Sequence, residues 1–170
     1  MQPSSASSQW VVVALGSNLG DGPSIIRQAQ ERMKGLSQGE ILASSLWISS
    51  PVDCPHESPL FVNAAVAFTS LPQETPEALL RKLQQIEREF GRISKKVHNE
   101  PRPLDLDLVA FGREIRSKGP LVLPHPRAHL RRFVLAPLAE ILPEWRLPGF
   151  ESSISELLSQ SAGDPALKRL

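Results

Sequence analysis

Two aspartates, Asp105 and Asp107, are separated by a single leucine in the segment 102–108 (RPLDLDL). Acidic and apolar residues alternate here, and this period of two is typical of a strand with one buried face. The three leucines of the segment are therefore predicted in the core, with both aspartates on the opposite face. A rise of about 3.3 Å per residue separates the two aspartates by roughly 6.6 Å along the strand.

Two carboxylates at this spacing repel each other unless one of them is protonated or a cation lies between them. Mg²⁺ prefers such oxygen ligands and keeps other coordination positions open for substrate phosphates. The pattern alone leaves two interpretations open, a solvated acidic face and a site for a hard divalent cation.

The segment that precedes the aspartates, 92–102, is basic and has no apolar period. Alone, it fits a solvated loop as well as a lid that brings Arg92, Lys95 and Arg102 to a polyphosphate. Such cations would neutralise charge on transferring phosphate oxygens. Because the segment runs directly into the paired carboxylates, the combination favours metal-assisted phosphoryl transfer.

A glycine-rich segment, 16–22 (GSNLGDG), follows an apolar run but contains no lysine, and the sequence has no nucleotide-binding loop of the GxxxxGK[ST] type. The segment therefore predicts a tight turn into a helix rather than a phosphate cradle. Phe61 and Asn63 share one face of another predicted strand. They fit either a shallow slot for a flat, hydrogen-bonding ring or a strand-end amide satisfied by backbone.

His125 and His129 are four residues apart, a spacing that occurs in zinc sites. No acidic third ligand is near in sequence, and Pro126 indicates that His125 precedes the helix instead of lying on it. A polar contact of His125 with a nucleotide and a helix-start hydrogen bond both fit the pattern.

Composition indicates one ordinary globular domain. The chain has 170 residues, of which 41% are hydrophobic and 22% charged, with one cysteine and a net charge of +1. This charge gives no reason to expect attraction to nucleic acid or to a membrane, and the single cysteine suits a reducing compartment. We expect a cytoplasmic protein, monomeric, with a disordered arm at 1–9, one domain at 10–160 and a tail at 161–170.

The predicted elements position these groups on a sheet. Strands are expected at 10–15, 41–48, 61–68 and 104–108. A helix follows Asp21, a second begins at Thr75-Pro76 and ends at Gly91, and a third carries Leu130 to Ile141 around Pro137. A hairpin containing Gly112 is expected after the acidic strand. This βαββαβ order predicts an α+β ferredoxin-like sandwich, a mainly antiparallel sheet covered by helices, with an additional C-terminal helix.

Five segments together resemble one enzyme family in order and spacing, from about Trp10 to Pro143. They are 14–20 (ALGSNLG), 61–66 (FVNAAV), 86–92 (IEREFGR), 101–108 (PRPLDLDL) and 122–125 (VLPH). The chain resembles the 6-hydroxymethyl-7,8-dihydropterin pyrophosphokinases of folate biosynthesis. This resemblance implies transfer of pyrophosphate from ATP to the hydroxymethyl group of the pterin, with release of AMP.

The resemblance also implies roles for individual residues. Asp105 and Asp107 would hold two Mg²⁺ ions that bridge the ATP phosphates, and Arg92 and Arg102 would stabilise the transferring group. The nucleotide would contact Gln84, Glu87, Lys95, Leu108, Leu121, His125 and Arg131. The pterin would lie between the rings of Phe61 and Phe133, in reach of Asn18, Ser49, Ser50, Val52 and Asn63.

Four positions depart from the family pattern, namely Asp53, Ser94, Asn99 and Pro126, and none of them touches the proposed metal pair. Two rival functions use the same features. A metal-dependent phosphohydrolase would use the carboxylates with water as the nucleophile. A ferredoxin-like nucleic-acid-binding module would need exposed aromatic residues, whereas this chain is 5% aromatic and has no tyrosine.

Overall fold

An antiparallel sheet forms the centre of the molecule. The computed structural model describes residues 9–50, 59–91, 102–164 and 166–170. Its strands are β1 (Trp10–Ser17), β2 (Leu42–Ala43), β3 (Trp47–Ser49), β4 (Phe61–Thr69), β5 (Asp105–Phe111) and β6 (Lys168–Arg169). They lie in the order β5-β1-β4-β3-β6, with β2 also paired to β4. The helices are α1 (Gly22–Met33), α2 (Pro76–Glu89), α3 (Arg132–Ile141) and α4 (Ile154–Gln160).

Local sequence explains where the first two helices begin and end. The Asp21 side chain accepts a hydrogen bond from the Ser24 N–H at the start of α1, and the Thr75 hydroxyl does the same for Ala78 at the start of α2. Each satisfies one of the donors that a helix start leaves without a partner. After α2, Gly91 adopts a positive φ of 91°, which glycine permits without strain. These predicted boundaries are confirmed.

One face of the sheet packs on α1 and α2. The three leucines between Arg102 and Val109 are buried in this layer, together with Val13 and Leu15 of β1 and the apolar faces of the two helices. Asp105 and Asp107 alternate with them and are only partly buried. The predicted two-sided strand is therefore confirmed.

The other face of the sheet packs on α3 and α4, and its own side chains there are small. Val12, Ala14, Ala65 and Ala67 meet buried residues of the two helices and of the connection between them. α4 was not predicted; its first turn is closed by a reciprocal capping box between Ser153 and Glu156. The predicted α3 includes Pro137, as expected.

Three predictions about this part of the fold were wrong in detail. The segment 41–48 is not one strand but the short β2 and β3, because the Ser44 hydroxyl, not a backbone carbonyl, accepts the Ala65 N–H at 2.8 Å. Leu130 lies before α3 in a three-ten turn and is 67% exposed. After β5 the expected Gly112 hairpin is reduced to a turn, in which the Glu114 N–H donates to the Phe111 carbonyl, and to one antiparallel bridge between Arg116 and Leu123.

The segment 161–170, expected as a tail, contributes β6 to the edge of the sheet, where it pairs with β3. Among the described residues, no helix is both long and apolar enough to cross a bilayer.

Candidate active site

Strand register brings the predicted site residues to one face of the sheet. Gly16 of β1 pairs with Asp105 of β5 on one side and with Asn63 of β4 on the other. Ala14 occupies the same place between Asp107 and the alanine at position 65. Because β1 carries only a hydrogen or a methyl group at these two positions, the sheet has a shallow floor between the carboxylates and the amide.

A cavity of about 390 Å³ lies above this floor. This size is in the range of pockets that bind small molecules. At one end, which we call the carboxylate end, are Glu87, Arg102, Asp105 and Asp107. At the other, which we call the amide end, are Ser49, Ser50, Phe61 and Asn63. The remaining lining residues are Ala14, Leu15, Gly16, Leu80, Gln84, Leu106, His125, Arg131, Phe133 and Val134.

At the carboxylate end, the ionisation of Asp107 is disfavoured. Burial and the neighbouring Asp105 carboxylate raise the pKa of Asp107 from 3.8 to about 7, although Arg131 and Arg102 act in the opposite direction. Arg102 Nη1 lies 3.8 Å from Asp105 Oδ1, within ion-pair distance but too far for a hydrogen bond. A cation between the two aspartates would remove the cost of ionising both.

Glu87 of α2 closes the outer edge of β5. Its Oε2 atom accepts a hydrogen bond from the Leu106 N–H at 2.8 Å, and the side chain is buried. β5 is an edge strand, so this N–H has no neighbouring strand to bond to. The contact fixes α2 against β5 and brings Gln84, one turn earlier on α2, to the cavity.

Asn18 holds the backbone of Arg102 instead of lining the cavity. The Asn18 side-chain oxygen accepts a hydrogen bond from the Arg102 N–H at 2.9 Å, and the Asn18 backbone N–H donates to the Arg102 carbonyl at 3.2 Å. Both residues are buried. Within the described residues, Ser17 Oγ, Asn18 Nδ2 and Arg102 Nε are buried and have no hydrogen-bond partner. This region therefore retains unused polar atoms beside the carboxylate end.

His125 and Arg131 also line the cavity. The His125 Nδ1 atom accepts the Arg127 N–H at 3.1 Å, so the proton of the neutral ring lies on Nε2. Burial and the two nearby arginines, Arg131 and Arg127, lower the pKa of His125, which keeps the ring neutral at pH 7. The Arg131 guanidinium lies 5.6 Å from the centroid of the Phe133 ring. His129 is separate from this group and packs on Phe150.

Asn63 dominates the amide end. Its side-chain nitrogen donates to the Ser49 hydroxyl at 2.6 Å and to the Phe61 carbonyl at 3.4 Å. These donations leave its acceptor oxygen over Gly16, 3.7 Å from where a β-carbon would stand. The Phe61 ring is 3.4 Å from the same point. An acceptor and an aromatic edge therefore share one small opening in the sheet.

The structure brings most of the predicted site residues together. Those that line the cavity are Ser49, Ser50, Phe61, Asn63, Gln84, Glu87, Arg102, Asp105, Asp107, His125, Arg131 and Phe133. Asn18, Leu108 and Leu121 do not line it: Asn18 binds backbone, and the two leucines pack with the apolar layer of α1 and α2. Val52, Arg92 and Lys95 lie outside the described residues.

Sequence reasoning missed the residues that make room for a ligand. Ala14 and Gly16 follow from the strand period once β1 is known to lie between the acidic and the amide-bearing strands, but that order is not visible in the sequence. Leu80 and Val134 line the cavity from α2 and α3. Their apolar character is also typical of core positions, so no sequence signal distinguishes them.

Comparison with known proteins identifies the family. The family model for 7,8-dihydro-6-hydroxymethylpterin-pyrophosphokinase (HPPK) matches residues 12–143. The 2-amino-4-hydroxy-6-hydroxymethyldihydropteridine pyrophosphokinase of Pseudomonas aeruginosa is 41% identical over 82% of this chain and 85% of its own length. The enzyme of the same name from Bacillus subtilis is 42% identical over 76% of this chain and 75% of its own.

Larger proteins contain a similar unit. The folate synthesis bifunctional protein of Arabidopsis thaliana is 37% identical over 78% of this chain, which spans 27% of that protein. The crystal structure of Plasmodium falciparum HPPK-DHPS wild type with SDX-DHP has a TM-score of 0.68 at 13% identity, and covers 89% of this chain but 44% of its own. At this identity the structural similarity concerns the fold, a mixed arrangement of antiparallel sheet and helices. On the matched family model and the two bacterial relatives, the chain belongs to the 7,8-dihydro-6-hydroxymethylpterin-pyrophosphokinase family.

Proposed function

We propose that this pyrophosphokinase transfers pyrophosphate from ATP to 6-hydroxymethyl-7,8-dihydropterin and produces the pterin diphosphate and AMP, a step of folate biosynthesis. One observation carries the proposal: a single cavity has paired carboxylates at one end and an aromatic, amide-bearing slot at the other. The first suits a polyphosphate with its cations, and the second suits a flat heterocycle with polar edges.

The carboxylate end fits Mg²⁺ as a partner. Burial and mutual repulsion raise the pKa of Asp107 to about 7, a penalty that divalent cations would remove. The described residues contain no cluster of three or more acidic, histidine or cysteine ligands, so Asp105 and Asp107 would leave positions for substrate phosphates, as Mg²⁺ sites in phosphoryl transfer do. Two bound Mg²⁺ ions would neutralise phosphate charge and orient the polyphosphate.

The chain's own groups supply position and charge. Arg102, held by Asn18 through its backbone, would face charge that develops on the transferring oxygens, together with the predicted Arg92 and Lys95. The hydroxymethyl oxygen of the pterin would form the new bond to the β-phosphorus of ATP and lose its proton to solvent, and the bond from that phosphorus to the α-phosphate oxygen would break to release AMP. Such transfer asks for alignment and electrostatic stabilisation rather than covalent participation by the protein.

Remaining contacts are assigned by the chemistry that each end offers. The Asn63 oxygen would accept a pterin N–H, and the rings of Phe61 and Phe133 would stack on the heterocycle. The neutral His125, with Gln84, Glu87 and Arg131, would contact the nucleotide. Leu108 and Leu121 stay predicted nucleotide contacts. Because neither residue lines the cavity, they would contact the nucleotide outside it.

We also propose the finer descriptions of the molecule. The order β5-β1-β4-β3, antiparallel throughout, supports a ferredoxin-like core in which β2 and β3 together make one strand. A monomer in the cytoplasm is consistent with the near-neutral charge and the single cysteine. Size-exclusion chromatography with light scattering tests the monomer: a mass near 18.7 kDa supports it, and twice that mass contradicts it.

The decisive experiment mixes the purified protein with ATP, Mg²⁺ and 6-hydroxymethyl-7,8-dihydropterin and measures AMP and the pterin diphosphate. Formation of AMP that requires the pterin supports transfer. Release of ADP or AMP from ATP in the absence of pterin would instead indicate the metal-dependent phosphohydrolase. No product with Mg²⁺ and both substrates would contradict the proposal.

A further inference from the structure

The segment 161–170, with residue 165 outside the description, forms what we call the latch along the outer side of β3. β6 pairs antiparallel with β3 through Arg169 opposite Trp47 and Lys168 opposite Ile48. The Leu170 N–H then donates to the Leu46 carbonyl at 2.8 Å. The family match ends at residue 143, so the latch lies beyond the residues that identify the family.

Asp164 connects the latch to the amide end. Its Oδ2 atom accepts the Ser50 N–H at 3.0 Å, and its Oδ1 atom accepts the Ser50 hydroxyl at 3.0 Å and the Ala166 N–H at 2.9 Å. Burial alone would raise the pKa of Asp164, but these donors from Ser50 and Ala166 lower it overall. The carboxylate is therefore charged at neutral pH, and hydrogen bonds to a charged group are stronger than neutral ones.

The Ser50 contact leads directly to the slot. Ser50 lines the cavity, and the preceding residue, Ser49, accepts the side-chain N–H of Asn63. Asp164 therefore fixes the backbone beside the hydroxyl that orients the Asn63 amide. A shift of this backbone would move both Ser49 and Ser50 relative to the Asn63 oxygen.

A second anchor holds the far end of the latch. The Arg169 guanidinium lies 5.3 Å from the centroid of the Trp47 ring and 4.0 Å from Glu140 of α3. Glu140 also accepts hydrogen bonds from the Ser45 N–H, the Ser45 hydroxyl and the Trp47 indole N–H. Arg169 and Glu140 thus tie β3 to α3 on the side of the sheet that carries the cavity.

The residue before Phe133 is bonded to the start of the latch. Arg132 Nη1 donates to the Leu158 carbonyl at 2.8 Å and to the Ser161 hydroxyl at 3.1 Å. The next residue, Phe133, lines the cavity. The chain from 158 to 164 therefore connects the residue before Phe133 with Ser50, and both Phe133 and Ser50 line the cavity.

We infer that the latch sets the geometry of the heterocycle slot and that Asp164 is a positioning residue for the pterin substrate. The inference rests on the proposed function, because it takes the amide end as the pterin site. Asp164 does not line the cavity; it acts through Ser50. The side-chain hydrogen bonds of the latch described above reach Ser50 and Arg132, next to Ser49 and Phe133, so we expect the effect on the pterin.

The test compares Asp164→Ala with wild type in steady-state kinetics at saturating levels of the other substrate. We expect the KM for the hydroxymethyl pterin to rise about 5- to 20-fold, the size expected when hydrogen bonds that order a site are lost. The KM for ATP and kcat should change less than about twofold. Asp164→Asn keeps one acceptor oxygen for the Ser50 N–H and should recover part of the pterin KM.

Glu151→Ala is the matched control, because it removes an exposed carboxylate from the same part of the chain and should leave all three constants unchanged. Hydrogen exchange of the Ser50 amide gives an independent readout and should be faster in Asp164→Ala. A variant with lowered melting temperature but an unchanged pterin KM overturns the inference, as does an equal rise in both KM values. If wild type gives no pterin diphosphate, the proposed function fails instead.

Discussion

The two ends of the cavity are built in different ways. At the carboxylate end, Asp105 and Asp107 come from one strand, and Arg102 precedes them by a few residues. At the amide end, Ser50 follows β3 and Asn63 lies in β4, and Ser50 donates to Asp164, which is 114 residues away in the chain. The two aspartates and Arg102 are thus close in sequence, although Glu87 and Asn18 reach them from other segments, whereas the end proposed for substrate recognition is assembled mainly by long-range contacts.

This difference indicates which kinetic constant a substitution at each end should change. Alternation along one strand fixes the directions of two carboxylates without help from distant residues. An aromatic slot for a flat ring needs walls from several elements, so its shape depends on their packing. Changes at the carboxylate end should therefore lower kcat, and changes at the amide end should raise the KM for the pterin.

The largest effect is expected from the aspartates. Asp105→Ala or Asp107→Ala removes a proposed Mg²⁺ ligand and should lower kcat by roughly 10³-fold or more. Circular dichroism should still report a folded protein, because both side chains are on the partly exposed face of β5. The measurement is AMP formation at saturating Mg²⁺ and both substrates. A near-normal rate in either variant would refute the metal assignment.

Arg102 tests the same end of the cavity with a side chain of opposite charge to the aspartates. Arg102→Ala should lower kcat about 10²- to 10³-fold, since the guanidinium would stabilise charge that develops in the transition state. Equilibrium binding of the pterin, measured by calorimetry, should weaken less than about threefold. Equal losses in binding and in kcat would instead indicate a ground-state role. Arg102→Lys retains the charge and should be intermediate.

Alanine substitutions at two glycines distinguish a position that leaves room for a ligand from one that is needed for packing. A β-carbon on Gly16 would stand 3.4 Å from the Phe61 ring, an ordinary contact, so Gly16→Ala should fold normally but fill the floor of the slot. We expect the KM for the pterin to rise about 10-fold, with kcat nearly unchanged.

The matched variant, Gly22→Ala, would place a β-carbon 2.8 Å from Val62 Cγ2. It should lower the free energy of unfolding by about 1–2 kcal/mol through overpacking, without a selective effect on pterin. Urea unfolding and steady-state kinetics of both variants check this pair. A reversed pattern would show that Gly16 serves packing and not the ligand.

The smallest expected effect is the change of protein stability with pH and Mg²⁺. In metal-free protein the pKa of Asp107 is raised from 3.8 to about 7, so the folded state binds this proton more tightly than the unfolded state. The associated stability is fully present below the unfolded pKa and is lost as pH rises through about 7. Discounted for partial exposure, this is on the order of 1–2 kcal/mol.

Asp107→Asn should abolish this part of the pH dependence of the melting temperature, which falls between about pH 4 and 7. Added Mg²⁺ should stabilise wild type more at pH 8 than at pH 5.5, because protons compete with the cation. Differential scanning calorimetry with and without Mg²⁺ distinguishes these cases. A Mg²⁺ effect that is equal at both pH values would argue against a cation at the aspartate pair.

Sequence patterns predicted the parts of the fold that depend on neighbouring residues. The alternation around Asp105 and the capping hydroxyl of Thr75 act within a few residues, so β5 and the start of α2 follow from local rules. The break between β2 and β3 does not, because it depends on the Ser44 hydroxyl bonding to a residue 21 positions later. Local β-propensity favours one continuous strand there.

Predicted side-chain roles had the same limit. The substrate contact expected of Asn18 stays a prediction, but the contact that the structure shows, from the Arg102 N–H to the Asn18 amide oxygen 84 residues away, was not predicted. An asparagine in a glycine-rich turn is compatible with either role. The contact with Arg102 depends on the placement of the segment after residue 101 against that turn, and this placement is a tertiary contact.

The two outer margins of the sheet also have a consequence for the behaviour of the molecule in concentrated solution. The Glu87 carboxylate occupies a backbone donor of β5, and the short β6 covers β3. Each contact occupies part of the backbone edge that a strand from a neighbouring molecule would need for pairing, which is one way in which natural sheets resist aggregation. The contacts that shape the cavity thus also discourage polymerisation of the protein through its strands.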